Sequence, residues 1–80
     1  METKKINNIT SLVGLSVKLE RVKRNWSQEE LAFQSKLSKT SIGSIERGLS
    51  VPSVETVEKI ANAFGMSFFE FIDVMKIYNK

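Results

Sequence analysis

Hydrophobic residues recur every three or four positions through most of the chain, which is the spacing of amphipathic helices. The spacing predicts five helices, no strands, no linker and no internal repeat, and therefore an all-α fold. The clearest stripe lies in the fourth predicted helix and consists of Val54, Val57, Ile60, Ala61 and Phe64.

Serine residues mark where four of the helices begin, because a serine hydroxyl accepts hydrogen bonds from the free N–H groups of a first turn. Two of these serines are followed three residues later by glutamate, which is the spacing of a capping box. Residues that favour a left-handed backbone mark where helices end. The predicted starts are Ser27, Ser38, Ser53 and Ser67, and the predicted stops are Asn25, Gly48 and Gly65.

The first helix is predicted to begin at Leu12, after a polar lead-in over residues 7–11. Two overlapping hydrophobic stripes follow, and spacing alone does not decide which of them faces the core. One stripe consists of Leu12, Leu15, Leu19 and Val22, and the other consists of Val13 and Val17.

Two short helices lie close together in the middle of the chain. The first runs from Ser27 to Ser35, and the second runs from Ser38 to Arg47. So short a connection forces the helices to cross sharply, which is helix-turn-helix geometry. We predict this motif over residues 27–47, a core over residues 12–78, and a single domain over residues 1–80.

The composition restricts the function classes. The 80 residues include no cysteine and no histidine, which removes thiolate and imidazole metal ligands, cysteine nucleophiles and the commonest general base. No apolar run approaches the ~20 residues of a membrane span, and the N-terminus lacks the apolar stretch of a signal peptide. We expect a cytoplasmic protein that is not an enzyme and has no metal, cofactor or small-molecule ligand.

The net charge of +3 is unevenly distributed. Residues 1–48 carry nine Lys and Arg against five Asp and Glu, whereas residues 49–80 carry three against four. A basic N-terminal half is typical of a domain that faces a polyanion. So small a surplus also occurs on ordinary solvated surfaces.

Residues 26–48, WSQEELAFQSKLSKTSIGSIERG, closely resemble the Cro/repressor-type, or Xre, family of helix-turn-helix DNA-binding proteins. The resemblance continues through residues 52–61, PSVETVEKIA, and covers residues 13–72. Within the family, the chain is most like the small controller proteins of restriction–modification systems. The resemblance implies a compact five-helix, phage-repressor-like domain that binds two-fold symmetric DNA operators as a homodimer and regulates transcription.

The resemblance also implies two sets of DNA contacts. The second helix of the motif would lie in the major groove, where exposed polar side chains read base edges, and neighbouring residues would bind phosphates. Each of these residues also has the simpler interpretation of a solvated side chain or a cap, and Lys39 suits either guanine or a phosphate. The implied base contacts are Lys39, Thr40, Ser41 and Ser44, and the implied phosphate contacts are Gln28, Lys36, Arg47, Asn25 and Ser50.

Two positions depart from the family, and one pair matches it. Lys36 stands in the turn where the family has glycine, so a left-handed backbone there would cost about 1 kcal/mol or more. Glu20 stands where the family has an apolar residue in the first helix. Arg21 and Glu46 match a family pair, which implies a partly buried structural salt bridge.

The last helix carries more large apolar side chains than it can readily bury. Consecutive residues differ by about 100° around a helix, so Phe68 and Phe69 cannot both be central on one face. We expect Phe68, Phe71 and Ile72 to continue the stripe that packs inside the subunit. The dimer interface is predicted to contain Phe69, Ile72 and Met75.

Other interpretations stay open. Glu29 and Glu30 either stabilise the N-terminus of their helix or form an acidic patch that contacts RNA polymerase. Lys4 and Lys5 form either a basic arm or a disordered tail. The whole chain also fits an antitoxin-like or other protein–protein module that uses its apolar C-terminal helix. A DNA affinity that depends strongly on sequence and salt would separate a regulator from such a module.

Overall fold

The computed structural model describes residues 8–79, and all of the regular structure in this range is helical. The helices are α1 (Ile9–Lys23), α2 (Gln28–Ser35), α3 (Lys39–Glu46), α4 (Val54–Ala63) and α5 (Phe68–Tyr78). The predicted all-α, five-helix architecture is confirmed. The lysines at positions 4 and 5, which suggested a basic arm, lie outside the described residues.

Side-chain caps begin every helix. The four predicted serine caps have extended backbone, and each hydroxyl accepts a hydrogen bond from the N–H three residues later. The capping box is complete at Ser67, where Glu70 Oε1 accepts the N–H of Ser67 at 2.8 Å. At Ser27 only half of the box forms, because the Glu30 carboxylate accepts a hydrogen bond from the side-chain amide of Gln34 at 2.6 Å.

The first helix begins earlier than predicted. Asn8 caps it, because the Asn8 side chain accepts the N–H of Ser11 at 2.8 Å, so residues treated as a lead-in are helical. Val13 and Val17 of one stripe are both buried, whereas the other stripe is buried only at Leu12, and its Leu19 and Val22 are 37% and 51% exposed. The stripe that contains Val13 and Val17 therefore faces the core.

The core takes side chains from all five helices. The stripe of α4 is buried from Val57 onward, but Val54, which opens it, is 70% exposed and lines a surface groove. The buried apolar residues are Leu12, Val13, Val17, Leu31, Ala32, Ile42, Ile45, Val57, Ile60, Ala61, Phe64, Phe71 and Met75.

The expectation that Met75 contributes to a dimer interface is wrong. Met75 is only 2% exposed within the single chain, so it has almost no surface to offer a partner. Phe71 and Met75 are four residues apart and therefore share one face of α5, and this face packs into the core. Phe69 lies on another face and is 76% exposed.

Two connections use a left-handed backbone at a residue other than glycine. Asn25, the predicted stop of the first helix, has a φ of 59°, and Lys36 at the end of α2 has a φ of 62°. At Lys36 the chain accepts a cost of about 1 kcal/mol relative to glycine in order to make the tight turn between α2 and α3.

The first helix lies unusually close to the end of α3. A Cβ on Gly14 would overlap the carbonyl oxygen of Ile45 and lie 3.0 Å from that of Glu46. The absence of a side chain at this position therefore sets how closely α1 and α3 approach. Within residues 8–79, no helix combines the length and the apolar character needed to span a bilayer.

Glu20, the acidic residue at an apolar family position, is buried among hydrogen-bond donors. Its side chain is 2% exposed and accepts hydrogen bonds from Lys23 Nζ at 3.1 Å, from Arg24 Nη1 at 2.8 Å and from the Tyr78 hydroxyl. Arg24 Nη2 also donates to the carbonyl of Phe64 at 2.9 Å, and its guanidinium lies 4.6 Å from the centre of that ring. This network joins α1 to the ends of α4 and α5.

The network changes the pKa of two of its members. Burial opposes the charge of Glu20, but hydrogen bonds from Tyr78, Arg24 and Lys23 outweigh it and lower the pKa of Glu20. Burial, and then the hydrogen bond to Glu20, raise the pKa of Tyr78 to about 12. The pKa of Tyr78 is raised on folding. The stability that the protonated Tyr78 hydroxyl gives the fold is therefore complete below about pH 10 and is lost as the pH rises through about 12.

We expect Tyr78→Phe to lower the free energy of unfolding by about 1–3 kcal/mol at pH 7, because the missing hydroxyl donates to a charged acceptor. The wild type should also lose more stability than the variant between pH 10 and pH 12. Urea unfolding followed by circular dichroism at pH 7, 10 and 12 measures both effects. The control Ile77→Ala, on the same helix and 63% exposed in the wild type, should change stability by less than about 0.5 kcal/mol. Equal stabilities of Tyr78→Phe and wild type would contradict the role given to this hydroxyl.

Candidate nucleic-acid interface

The second and third helices form the predicted helix-turn-helix. After the left-handed Lys36, the N–H of Leu37 donates to the carbonyl of Ala32 at 3.0 Å and closes the turn. Ile42 and Ile45 of α3 are fully or almost fully buried. Because these two residues turn inward, the polar residues of α3 face outward.

The outward face of α3 carries the residues implied as base contacts. Lys39, Thr40 and Ser41 are exposed, and Ser44 is half-buried. The Ser41 hydroxyl accepts a hydrogen bond from the hydroxyl of the cap Ser38 at 3.0 Å, so it contributes to the helix start as well. Thr40 lies between two surface grooves and lines both of them.

The first groove, here called the donor groove, is lined by Gln28, Lys39, Thr40, Gly43 and Arg47. Its amide, ammonium and guanidinium groups all donate hydrogen bonds, and two of them are positively charged, which suits a phosphate. Gly43 forms its floor, because a Cβ there would lie 3.2 Å from Arg47 Nη1 and 3.6 Å from Gln28 Oε1. The groove thus brings together four of the predicted DNA contacts, Gln28, Lys39, Thr40 and Arg47.

The second groove, here called the hydroxyl groove, separates α3 from the start of α4. Ser53 and Thr56 belong to it, although the sequence pattern identified Ser53 only as a cap. The signal that points to both is their position at a helix N-terminus, where free N–H groups favour an anion. The hydroxyl-bearing residues that line this groove are Thr40, Ser41, Ser44, Ser50, Ser53 and Thr56.

Two of the predicted phosphate contacts lie outside both grooves. Lys36 lines a separate groove with Lys59 and Asn62, on the side where α2 meets α4. Asn25 is exposed in the connection between α1 and α2. Their contacts with phosphate therefore stay predictions that neither groove supports.

The acidic residues of α2 lie in its first turn, as expected for residues that stabilise a helix N-terminus. Glu29 is exposed, whereas Glu30 is half-buried and its carboxylate accepts the Gln34 amide. An acidic patch that contacts RNA polymerase stays a prediction.

Arg21 and Glu46 form a bidentate ion pair beside the donor groove. Arg21 Nε lies 2.7 Å from Glu46 Oε2, and Arg21 Nη2 lies 3.1 Å from Glu46 Oε1. The two side chains are 13% and 3% exposed. Hydrogen bonding to Glu46 raises the pKa of Arg21. This is the pairing that the family resemblance implies.

Further hydrogen bonds extend this ion pair to the start of α2. Arg21 Nη1 donates to the carbonyl of Trp26 at 2.7 Å, and Gln28 Nε2 donates to Glu46 Oε1 at 3.0 Å. We call Arg21, Glu46, Gln28 and the Trp26 carbonyl the ion-pair cluster. The cluster ties α1, the start of α2 and the end of α3 to one another.

An exposed polar helix with hydrogen-bond donors in a groove on each side is the arrangement of a helix-turn-helix DNA-binding domain. The helix-turn-helix family HTH_3 matches residues 17–71, which is more than half of the chain. The chain belongs to this family, the Xre-type helix-turn-helix DNA-binding proteins.

Individual relatives indicate where the chain lies within the family. Control protein C.BamHI of Bacillus amyloliquefaciens is 42% identical over 74 residues, which cover 91% of each chain. The HTH-type transcriptional regulator SutR of Escherichia coli is 36% identical over 67 residues, which cover 84% of this chain and 38% of SutR. The crystal structure of the restriction–modification controller protein C.Esp1396I matches with a TM-score of 0.81 and 26% identity, over 90% of this chain and 92% of that chain. The chain is a transcription regulator that is similar to controller proteins.

We expect Arg21→Ala to lower the free energy of unfolding by about 3–5 kcal/mol, because it leaves the Glu46 carboxylate buried without its cation. Lys18→Ala, an exposed position one turn earlier on the same helix, should change stability by less than about 0.5 kcal/mol. Urea unfolding followed by circular dichroism measures both variants. If Arg21→Ala lowered the free energy of unfolding as little as Lys18→Ala does, the ion pair would not hold the motif together.

Proposed function

We propose that this protein binds a specific, two-fold symmetric DNA operator as a homodimer and acts as a restriction–modification controller protein. The observation that carries the proposal is the polar outward face of α3, with the donor groove on one side and the hydroxyl groove on the other. In this proposal α3 lies in the major groove and reads bases through Thr40, Ser41 and Ser44. Because the ligand is genomic DNA, the protein would act in the cytoplasm.

Phosphates of the DNA backbone would occupy the two grooves. Gln28 and Arg47 would bind one phosphate in the donor groove, and Ser50 would contribute to a second site in the hydroxyl groove. The position of Lys39 within the donor groove supports a phosphate contact for this residue in preference to a guanine contact. Each phosphate neutralised by a cation releases counterions, so the affinity should fall as salt rises.

An exposed apolar surface supports the homodimer. We define this surface as Ile9, Val51, Val54, Ile72 and Phe69. The first four of these residues line one groove, and the ring of Phe69 packs edge-on against Phe68 of the same groove at a centroid distance of 5.4 Å. Phe69 and Val51 are 76% and 79% exposed. A two-fold symmetric contact is the commonest way for identical chains to cover such a surface.

The position of the apolar surface also suits operator binding. Val51 and Val54 follow the end of α3 at Glu46 within a few residues. Val51 also lines the hydroxyl groove beside α3, so a two-fold axis through this surface would bring both copies of α3 to the same side of one duplex. Half-sites would then be about 34 Å apart, which is one turn of DNA.

Selection of bound duplexes from a random pool tests the proposed function. We expect enrichment of a symmetric sequence that binds at least about 1,000-fold more tightly than a scrambled duplex, with both affinities falling as salt rises. Equal affinity for selected and scrambled duplexes would contradict a sequence-specific regulator. That result would favour the protein–protein module.

We expect Thr40→Ala and Ser44→Ala each to weaken binding to the selected operator by about 1–3 kcal/mol, because each removes a side chain that reads a base edge. Affinity for scrambled DNA and the free energy of unfolding should stay unchanged. Quantitative footprinting on both duplexes measures the effect. Gln34→Ala is the control, since Gln34 is exposed on α2 and lies outside both grooves. Equal losses on the two duplexes would reject base recognition by these residues.

We expect Phe69→Glu to give a folded monomer that binds the operator weakly, because a charge in the apolar surface opposes its burial between two copies. Sedimentation equilibrium gives the mass, and circular dichroism reports folding. Phe33→Glu is the matched control, because Phe33 lies on α2 and is 79% exposed. This control should remain dimeric. A dimeric Phe69→Glu would place the interface elsewhere, and an unfolded one would contradict the exposed position of Phe69.

A further inference from the structure

The amide of Gln28 is held in one orientation by a hydrogen bond inside the protein. A glutamine amide has donors at its nitrogen and an acceptor at its oxygen, and a half-turn of the group exchanges these two ends. Gln28 Nε2 lies 3.0 Å from Glu46 Oε1. Because a carboxylate accepts hydrogen bonds and donates none, this contact requires the nitrogen end of the amide to face Glu46.

This orientation matters for binding an anion. A phosphate oxygen also accepts hydrogen bonds, so the amide can bind it only through the second N–H of Nε2. If the amide made a half-turn, its carbonyl oxygen would face the Glu46 carboxylate, and no second N–H would be held in place for the phosphate. The amide lies above Gly43, where a Cβ would be 3.6 Å from Oε1 and 3.9 Å from Nε2, so the missing side chain leaves room for it in the donor groove.

Glu46 is itself immobilised. Its side chain is 3% exposed, and each of its carboxylate oxygens accepts a hydrogen bond from Arg21, at 2.7 Å and 3.1 Å. Arg21 is in turn held by the carbonyl of Trp26 at 2.7 Å. The orientation of the Gln28 amide therefore depends on a chain of contacts that begins at α1 and ends in the donor groove.

We infer that Glu46 is a positioning residue for DNA binding: its carboxylate, held by Arg21, keeps a Gln28 N–H directed toward a phosphate in the donor groove. This inference rests on the proposed function. It gives the ion pair a second role besides holding three helices together. That role acts through Gln28 alone, whereas a purely structural role would affect every DNA contact.

A double-mutant cycle on operator affinity separates the two roles. The variants are Gln28→Ala, Glu46→Gln and the double variant, each checked for folding by circular dichroism. We expect Glu46→Gln to weaken operator binding about tenfold when Gln28 is present, and less than about twofold in the Gln28→Ala background. The loss of one negative charge acts in both backgrounds and cancels in the comparison. Equal fold-changes in the two backgrounds would overturn the inference.

A parallel cycle with Thr40→Ala provides the control. Thr40 lines the same groove but belongs to the base-reading face of α3. The effects of Glu46→Gln and Thr40→Ala should therefore multiply. Coupling to Thr40 as strong as that to Gln28 would mean that Glu46 shapes the whole interface, which would also overturn the specific role.

A measurement on the wild type covers the case in which Glu46→Gln fails to fold. Nuclear magnetic resonance distinguishes the two side-chain N–H protons of Gln28, and we expect operator binding to shift mainly the proton that is not bonded to Glu46. The amide of Gln34, which donates to the Glu30 carboxylate at 2.6 Å and lies outside both grooves, is the control and should not shift. An unshifted Gln28 amide in the bound protein would overturn the inference.

Failure of the proposed function and failure of the inference about Glu46 would give different results. A wild-type protein that binds no selected duplex would overturn both the proposed function and this inference. A wild-type protein that binds its operator but gives multiplicative effects for Gln28→Ala and Glu46→Gln would overturn the inference alone.

Discussion

Arg21 and Glu46 place opposite charges almost out of contact with water at the point where α1, α2 and α3 meet. Removing such charges from water costs several kcal/mol for each ion, and only close, well-aligned partners offset the cost. The helices must therefore adopt the distances at which both carboxylate oxygens, the guanidinium and the Trp26 carbonyl are all paired. Gly14 makes this possible, because any side chain there would keep α1 away from the end of α3.

The orientation of α3 follows from this constraint. With Ile42 and Ile45 buried and Glu46 held by Arg21, the face that carries Lys39 and Thr40 can only turn outward. The same cluster draws Gln28 to the edge of α3, which places the start of α2 and the end of α3 around one groove. One buried ion pair thus connects the stability of the motif to the placement of the groups proposed to face DNA.

Features that depend on close neighbours in sequence could be predicted. The caps at Ser27, Ser38, Ser53 and Ser67 each involve residues within a single turn, and all four were found where expected. The left-handed turn at Lys36 and the outward face of α3 follow from the same local signals together with the family resemblance. An asparagine cap in a mostly polar stretch gives a weaker signal, so the hydrophobic pattern places the start of α1 later than the structure does.

Features that depend on distant residues could not be predicted. The donors that satisfy Glu20 include neighbours at Lys23 and Arg24 but also Tyr78, which lies 58 positions later and which nothing near Glu20 in the sequence indicates. The burial of Met75 depends on how α5 is rotated against α1 and α4, which spacing within α5 leaves open. The hydrogen bond between Gln28 and Glu46 spans 18 positions and appears only when α2 and α3 are packed together.

Methylation interference on the selected operator tests the central claim, that two copies of α3 lie in the major groove, most directly. Dimethyl sulfate modifies guanine N7, which faces the major groove, and adenine N3, which faces the minor groove. We predict that guanine N7 methylation blocks binding in two patches about one helical turn apart, roughly 10 base pairs between centres, while adenine N3 methylation within these patches has little effect. Interference by adenine N3 alone, or a single patch without a symmetry mate, would contradict this placement of α3.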